Sequence, residues 1–492
     1  MKKFWLVLLS LGLVMAFSVS AFAVDVKVGA EYYIGGLYLN KISLDDGFQA
    51  WKGYTGSLNP STAFFYQRLR VGTDFVVSPC LKLVTQFDAM ERIWGGARSN
   101  TWGANQDYMF NESAGTRAET ENIAMRLAYI DYTSPIGLWK IGYQEDYVWG
   151  TVWGDRGSGT PTGQILYMMQ SGPFVGLIDF SKEQSQSYSA VTHGSAYGSS
   201  YGNGYVTDAD ANSWRIGGIY NFKGGEAGLL FLWNRDASNR PSDGPTSTSG
   251  YLMNMYLVDP YFKAKVGPVA LQGELLWFTG DAEKPDYTGG TVNLNHLNAW
   301  VDATANFGMF YAGVSLAYVE GQNPGDLGSK LEGSISPLSG GLDYNPCLIM
   351  FNTQTLGYWV GGIYGHSAIY GSGSAFVNPI DGEMENAWFG QIRGGVKPTP
   401  QLDIMASLSY AEADQNGFIA TGGTSYATFP GKTYGTEIDV TGTYKITNNL
   451  SYMLGLGYFF AGDYFKGLDT AFANGSKDND DYILMNKLTL TF

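Results

Sequence analysis

Between Glu437 and Phe460 polar and apolar residues change places at every step, and this period of two limits the fold more than any other feature. Ile438, Val440, Gly442, Tyr444 and Ile446 interleave with Glu437, Asp439, Thr441, Thr443 and Lys445. A turn at Thr447-Asn448-Asn449 follows. Leu450, Tyr452, Leu454, Leu456, Tyr458 and Phe460 then interleave with Ser451, Met453, Gly455 and Gly457. A helix would scatter these apolar residues around its circumference, whereas a strand gathers them on one face. Two such runs across a short turn predict an antiparallel hairpin.

The unit recurs along the chain. Hairpins are predicted for 65–77 with 81–90, 123–132 with 138–147, 164–169 with 174–182, and 214–222 with 227–234. Three more pair 251–266 with 269–278, 297–305 with 310–319, and 387–396 with 402–411. An opening strand, Val26 to Tyr38, and a closing one, Tyr482 to Phe492, bring the total to about eighteen, with sixteen to twenty allowed by the pattern. Longer segments rich in Gly, Ser, Asn and Asp join the hairpins. The longest, 321–384, is expected to fold inward as a constriction; its stretch Leu356 to Tyr364 is the alternative site of an extra strand.

Composition says where such a chain lives. It holds 66 Gly, 34 Tyr, 27 Phe and 13 Trp while only 15% of residues are charged, yet no segment after residue 23 makes a long apolar helix. In hydrocarbon every backbone N–H and C=O must be paired internally, so a membrane protein without helices must close into a barrel. The expectation is an all-β, transmembrane antiparallel barrel filling 24–492. Residues 1–23 form a signal peptide, with Lys2 and Lys3, an apolar run to Phe17 and a cleavage site after Ala21-Phe22-Ala23. An even strand count places both termini on the periplasmic side and the long loops outside.

At the C-terminus Leu484, Leu488, Leu490 and the final Phe492 share one face. This ending, with the hairpin architecture, resembles the porin-like barrels of Gram-negative outer membranes; Asn486 departs from the outward apolar pattern. The resemblance implies insertion into outer-membrane lipid and a pore for small hydrophilic solutes, with a homotrimer as the common assembly of that class. It names no substrate.

If apolar faces meet lipid, the alternate residues line the lumen. Parity places Arg68, Arg70, Lys82, Arg92, Arg126 and Lys140 inward on four consecutive strands, as a basic wall. Glu274 and Asp302 come from strands across the barrel. Charge belongs in any aqueous lumen, because at the lipid midplane it costs ~2–4 kcal/mol. Opposed walls of charge would in addition set a transverse field and favour anionic solutes.

Other chemistry is thinly represented. A net charge of −15 argues against a nucleic-acid partner. There is no C-x-x-C-H motif, so no covalent haem and no cofactor is expected. The three histidines, His193, His296 and His366, fall in loops or at a strand entry. Gly198-Ser199-Ser200-Tyr201-Gly202 matches a nucleophile elbow in letters but lacks the flanking strand and helix, so no enzyme is expected. Asp208 with Asp210, and Asp478, Asp480 and Asp481, offer oxygens for Ca²⁺, although solvated loop charge explains them as well. Trp102, Tyr147, Trp149 and Trp153 read as interface anchors, or as a stacking track for sugars. Cys80 and Cys347 allow a disulfide in an oxidising compartment, though a closed barrel does not need one. The alternatives to a pore are a sleeve around a multihaem cytochrome and an adhesin acting through its loops.

Overall fold

The computed structural model describes residues 24–41, 44, 61–95, 123–157, 159–185, 209–240, 250–286, 289–333, 341, 343–360, 383–422, 425–466 and 480–492. Eighteen strands close into one antiparallel barrel. The first hairpins are β1 (Asp25–Leu39), β2 (Thr62–Ser78), β3 (Leu81–Ile93), β4 (Ile123–Ser134) and β5 (Gly137–Gln144). There follow β6 (Thr162–Ser171), β7 (Phe174–Gln184), β8 (Ala211–Phe222), β9 (Gly225–Asp236) and β10 (Tyr251–Val266). Then come β11 (Val269–Pro285), β12 (Val292–Phe307), β13 (Phe310–Val319) and the two-residue β14 (Lys330–Leu331). The circle is completed by β15 (Ala387–Thr399), β16 (Leu402–Ala413), β19 (Thr433–Lys445), β20 (Leu450–Ala461) and β21 (Asp481–Thr491). Between them β17 (Phe418–Gly422) and β18 (Ser425–Thr428) form a separate small hairpin.

Closure is made by β1, which pairs with β2 on one side and β21 on the other. Ala30 N donates to the Phe492 carbonyl at 2.8 Å and Phe492 N returns the bond at 3.0 Å, so the last residue seals the sheet. β14 lies outside the circle, parallel to the start of β12. All eight tight turns stand at one rim with both termini, and the long connections leave from the other.

The two faces differ as the alternation requires. Halfway along their strands, cross-strand partners Val440 and Leu456 are 45% and 51% exposed, while Glu437 is fully buried inside. An apolar outer wall over a polar interior is what lipid demands of a barrel.

One sequence expectation changes, and two alternatives left open are decided. The strand predicted to reach Tyr147 ends at Gln144, because the chain there turns into the lumen. The described part of the stretch from Leu356 is not a strand, since Thr353–Val360 forms a π-helical turn inside the barrel; 361–364 lie outside the described residues. Cys80 and Cys347 are both free thiols, one exposed and one buried, so they form no disulfide.

Replacing Leu456 by Arg should cost about 2–4 kcal/mol, the penalty for a cation at the midplane of a barrel's lipid face. Urea unfolding in lipid vesicles measures it, with Leu456→Ala as the milder control.

Candidate functional site: a lumen divided by two inward segments

Two segments leave the long-loop rim and fold into the barrel. The first is 145–157. The Tyr147 hydroxyl donates to the Asp259 carboxylate at 2.6 Å, and burial beside that acid raises the phenol's pKa, which keeps it a donor. Trp149 Nε1 donates to the Asp259 carbonyl at 3.3 Å, and Trp153 Nε1 to Asn298 at 3.0 Å. The carboxylate of Glu274 on β11 gathers the backbone N–H groups of Thr151 at 2.8 Å and Gly154 at 3.0 Å, together with the Thr151 hydroxyl. Gly150 lies here at φ +72°, and a Cβ on it would stand 1.7 Å from Glu274. Only glycine fits so close an approach.

The second segment is 343–360. Glu437 on β19 accepts from Ile349 N and Met350 N, both at 2.7 Å. Gln391 donates to the Pro346 carbonyl at 2.8 Å, and Trp359 stacks on Tyr66 with ring centres 4.7 Å apart. Burial pushes the Cys347 thiol up, so it remains neutral. The two segments meet where Gly341 N donates to the Trp153 carbonyl at 2.9 Å and Tyr344 packs edge-on against Trp153.

Two cavities remain, each of about 430 Å³. The inner one reaches toward the tight turns and is lined by Asp74, Gln86, Lys140 and Met168 among others. The outer one reaches toward the long loops, past Met255, Leu257, Leu276 and Phe278. Tyr147 and Arg215 line both and mark their junction. There Arg215 Nη1 donates to Asp179 at 2.8 Å, Nη2 donates to Asp146, and the guanidinium lies 5.4 Å over the Tyr147 ring.

Four of the six residues expected to form a basic wall are neutralised by neighbouring carboxylates. Arg68 lies 3.5 Å from Glu31 and 3.9 Å from Glu91. Arg70 holds Asp88 with two bonds, at 2.7 and 2.8 Å. Lys82 is 3.0 Å from Asp74 and 3.8 Å from Asp131. Arg126 pairs with Glu145 at 2.8 Å and binds the Gly157 carbonyl at 2.6 Å. Lys140 lies 5.8 Å from the centre of the Tyr129 ring and lines the inner cavity. Arg92 needs correction. Met90, at φ +53°, forms a bulge that shifts the alternation. Glu91 rather than Arg92 then reaches Arg68, and Arg92 stands opposite Gln67, on the parity of the outward Trp94. A bulge reverses every later position on its strand.

On the acidic side Asp302 takes Arg393 at 2.7 Å, and Glu274 anchors the first inward segment instead of standing free in the lumen. Tyr147, Trp149 and Trp153 are buried inside, which overturns their reading as interface anchors. His296 is buried against Phe278 with Nδ1 on the Glu332 carbonyl. Asp480 accepts from Ala461 N and Tyr458, while Asp481 accepts from Lys41 N and Tyr482 N. Asp210 is held by Lys182. Trp102, His193, the 198–202 motif, Asp208, His366 and Asp478 lie outside the described residues. Asp146, Asp179, Glu183 and Asp259 escaped the sequence reading. Inward parity on 174–184 was the available signal for Asp179 and Glu183.

An apolar outer wall, a charged inner one and a lumen narrowed by its own loops define a transmembrane antiparallel β-barrel. No protein-family model matches the chain, and no curated protein is recognisably similar to it. Among solved structures it is similar to the outer membrane protein OpdK of Pseudomonas aeruginosa, with 13% identity over 95% of this chain and 99% of that one and a TM-score of 0.46. The outer membrane channel DcaP of Acinetobacter baumannii matches at 11% identity over 96% and 99% of the two chains, TM-score 0.41. An anion-selective porin from Comamonas acidovorans matches at 9% over 95% and 99%, also at 0.41.

Glu274→Ala leaves three donors of the first segment without their acceptor, at about 1–3 kcal/mol for each one that stays buried. The segment should loosen, which iodide quenching of tryptophan fluorescence in the folded barrel will register as increased access.

Proposed function

We propose that this barrel lets small hydrophilic solutes diffuse across the outer membrane by way of the two cavities, with width and charge at Tyr147 and Arg215, which stand between them, as the filter. The observation that carries the reading is that both cavities share these two residues. A closed circle of eighteen strands is wide enough for an aqueous channel, and inward segments reduce it to selective dimensions. On this reading no bond need form or break.

Selectivity follows the pairing of charges. An expected preference for anions rested on unneutralised arginines, yet Arg68, Arg70 and Arg126 each face a carboxylate. Paired walls support orientation of polar solutes by local fields more than a net preference for anions. The inward segments also occupy the space that a cytochrome would need, which counts against a sleeve. Export by the segment 1–23 and assembly as a homotrimer belong to the same proposal.

The protein reconstituted in a planar bilayer should give stepwise conductance, and its reversal potential in a salt gradient should show no strong anion preference. An absence of conductance would sink the channel reading. Tyr147→Ala, which removes one side of the junction and the bond to Asp259, should raise single-channel conductance.

A further inference from the structure

The walls of the outer cavity differ sharply in character. On one side Leu232, Met255, Leu257, Leu276 and Phe278 are all buried and apolar. On the other stand Asp146, Glu183, Ser213 and Asn234. Four acids line the cavity (Asp146, Glu183, Asp236 and Glu283) against two cations, Arg156 and Arg215. Both cations are occupied, Arg156 by Glu383 at 2.8 and 3.0 Å and Arg215 by Asp146 and Asp179.

Asp236, Glu283 and Glu183 have no ion pair among the described residues, and of these Glu183 is the one held by two neutral side chains. It accepts from the Ser213 hydroxyl and from Asn234 Nδ2 at 2.9 and 3.1 Å, and it has no ion-pair partner among the described residues. Those neutral donors fix its direction, and the nearby cation Arg215 is already held by Asp146 and Asp179. An anion entering here meets surplus negative charge. A metal ion would need several oxygens converging, and among the described residues the acids of this cavity make no such group. A cavity of about 430 Å³ with an apolar wall and a few placed polar groups has the form of a small-molecule site.

We propose that the outer cavity binds amphipathic cations, solutes carrying an ammonium group on a compact apolar body, with the ammonium at Glu183 and the body against Leu257 and Leu276. The proposal rests on the reading of the lumen as a solute path and narrows it to a substrate class.

Three probes separate the contributions in a bilayer: 2-phenylethylammonium, 3-phenylpropanoate and methylammonium. 2-Phenylethylammonium should half-block the KCl current at a concentration about tenfold below that of either other probe. Glu183→Gln should raise that concentration about tenfold, and Leu276→Ala should weaken block by 2-phenylethylammonium while sparing methylammonium. Equal block by the ammonium and the carboxylate overturns the site, as does an unchanged response in both variants. If no current appears, tryptophan fluorescence of the detergent-solubilised barrel decides the matter. Saturable quenching by 2-phenylethylammonium, weaker in Glu183→Gln, keeps the site and removes the channel; no saturation in the unaltered protein removes the site.

Discussion

Carboxylates on the inner wall that hold the backbone of inward-folded segments are the interaction on which the rest of this structure depends. A loop in the lumen brings N–H groups that lose their water, and each must find an acceptor. A carboxylate suits this, since it only accepts and has several lone pairs to share. Glu274 takes three donors from the segment that carries Tyr147 and Trp153. Glu437, five strands further round, takes two from the segment that carries Cys347. Remove these anchors and the barrel becomes an open ring of strands. With them it has a junction, two chambers and a defined set of residues for a solute to meet.

The same inner wall fixes the register. Arg70 and Asp88 stand directly opposite each other on β2 and β3. A slip of one residue would turn one of the two toward lipid, at about 2–4 kcal/mol if that were the arginine near the midplane. Ion pairs between neighbouring strands therefore specify alignment in a sheet whose outer face is apolar almost everywhere. They also cancel one another's field, so a lumen rich in charged residues need not be strongly selective for either sign.

The barrel was legible because its signal is local. Alternation needs only the neighbours one and two residues away, and it yielded eighteen strands, the two at the ends included. β10 and β13 begin and end where the pattern placed them. Parity also put Arg70, Lys82 and Asp302 on the side where their partners are found. Alternation could not foresee the bulge at Met90, which depends on backbone conformation at one residue and moved Arg92 off the inner face. Nor could it foresee that the chain after Gln144 would turn inward. That turn is decided by acceptors 110 to 123 residues away, at Asp259 and Glu274. Tyr147, Trp149 and Trp153 looked like interface aromatics because amphipathic rings serve equally well at a membrane rim and in a loop packed against an inner wall.

It follows that the chemistry of the lumen is what structural pairing leaves over. Glu274, Asp259 and Glu437 are consumed in holding loops, and Arg215 in bridging Asp146 and Asp179. Counting charges along the chain cannot reveal the remainder, because structural and solute-facing carboxylates share the same parity on the same strands. They are separated only by what stands opposite. Glu183, fixed by a hydroxyl and an amide that carry no charge, faces the outer cavity with no ion pair among the described residues. On the proposed reading, the sign a solute meets in the outer cavity is set by acids without an ion pair among the described residues, beside a wall whose apolar side chains admit a body as well as a charge.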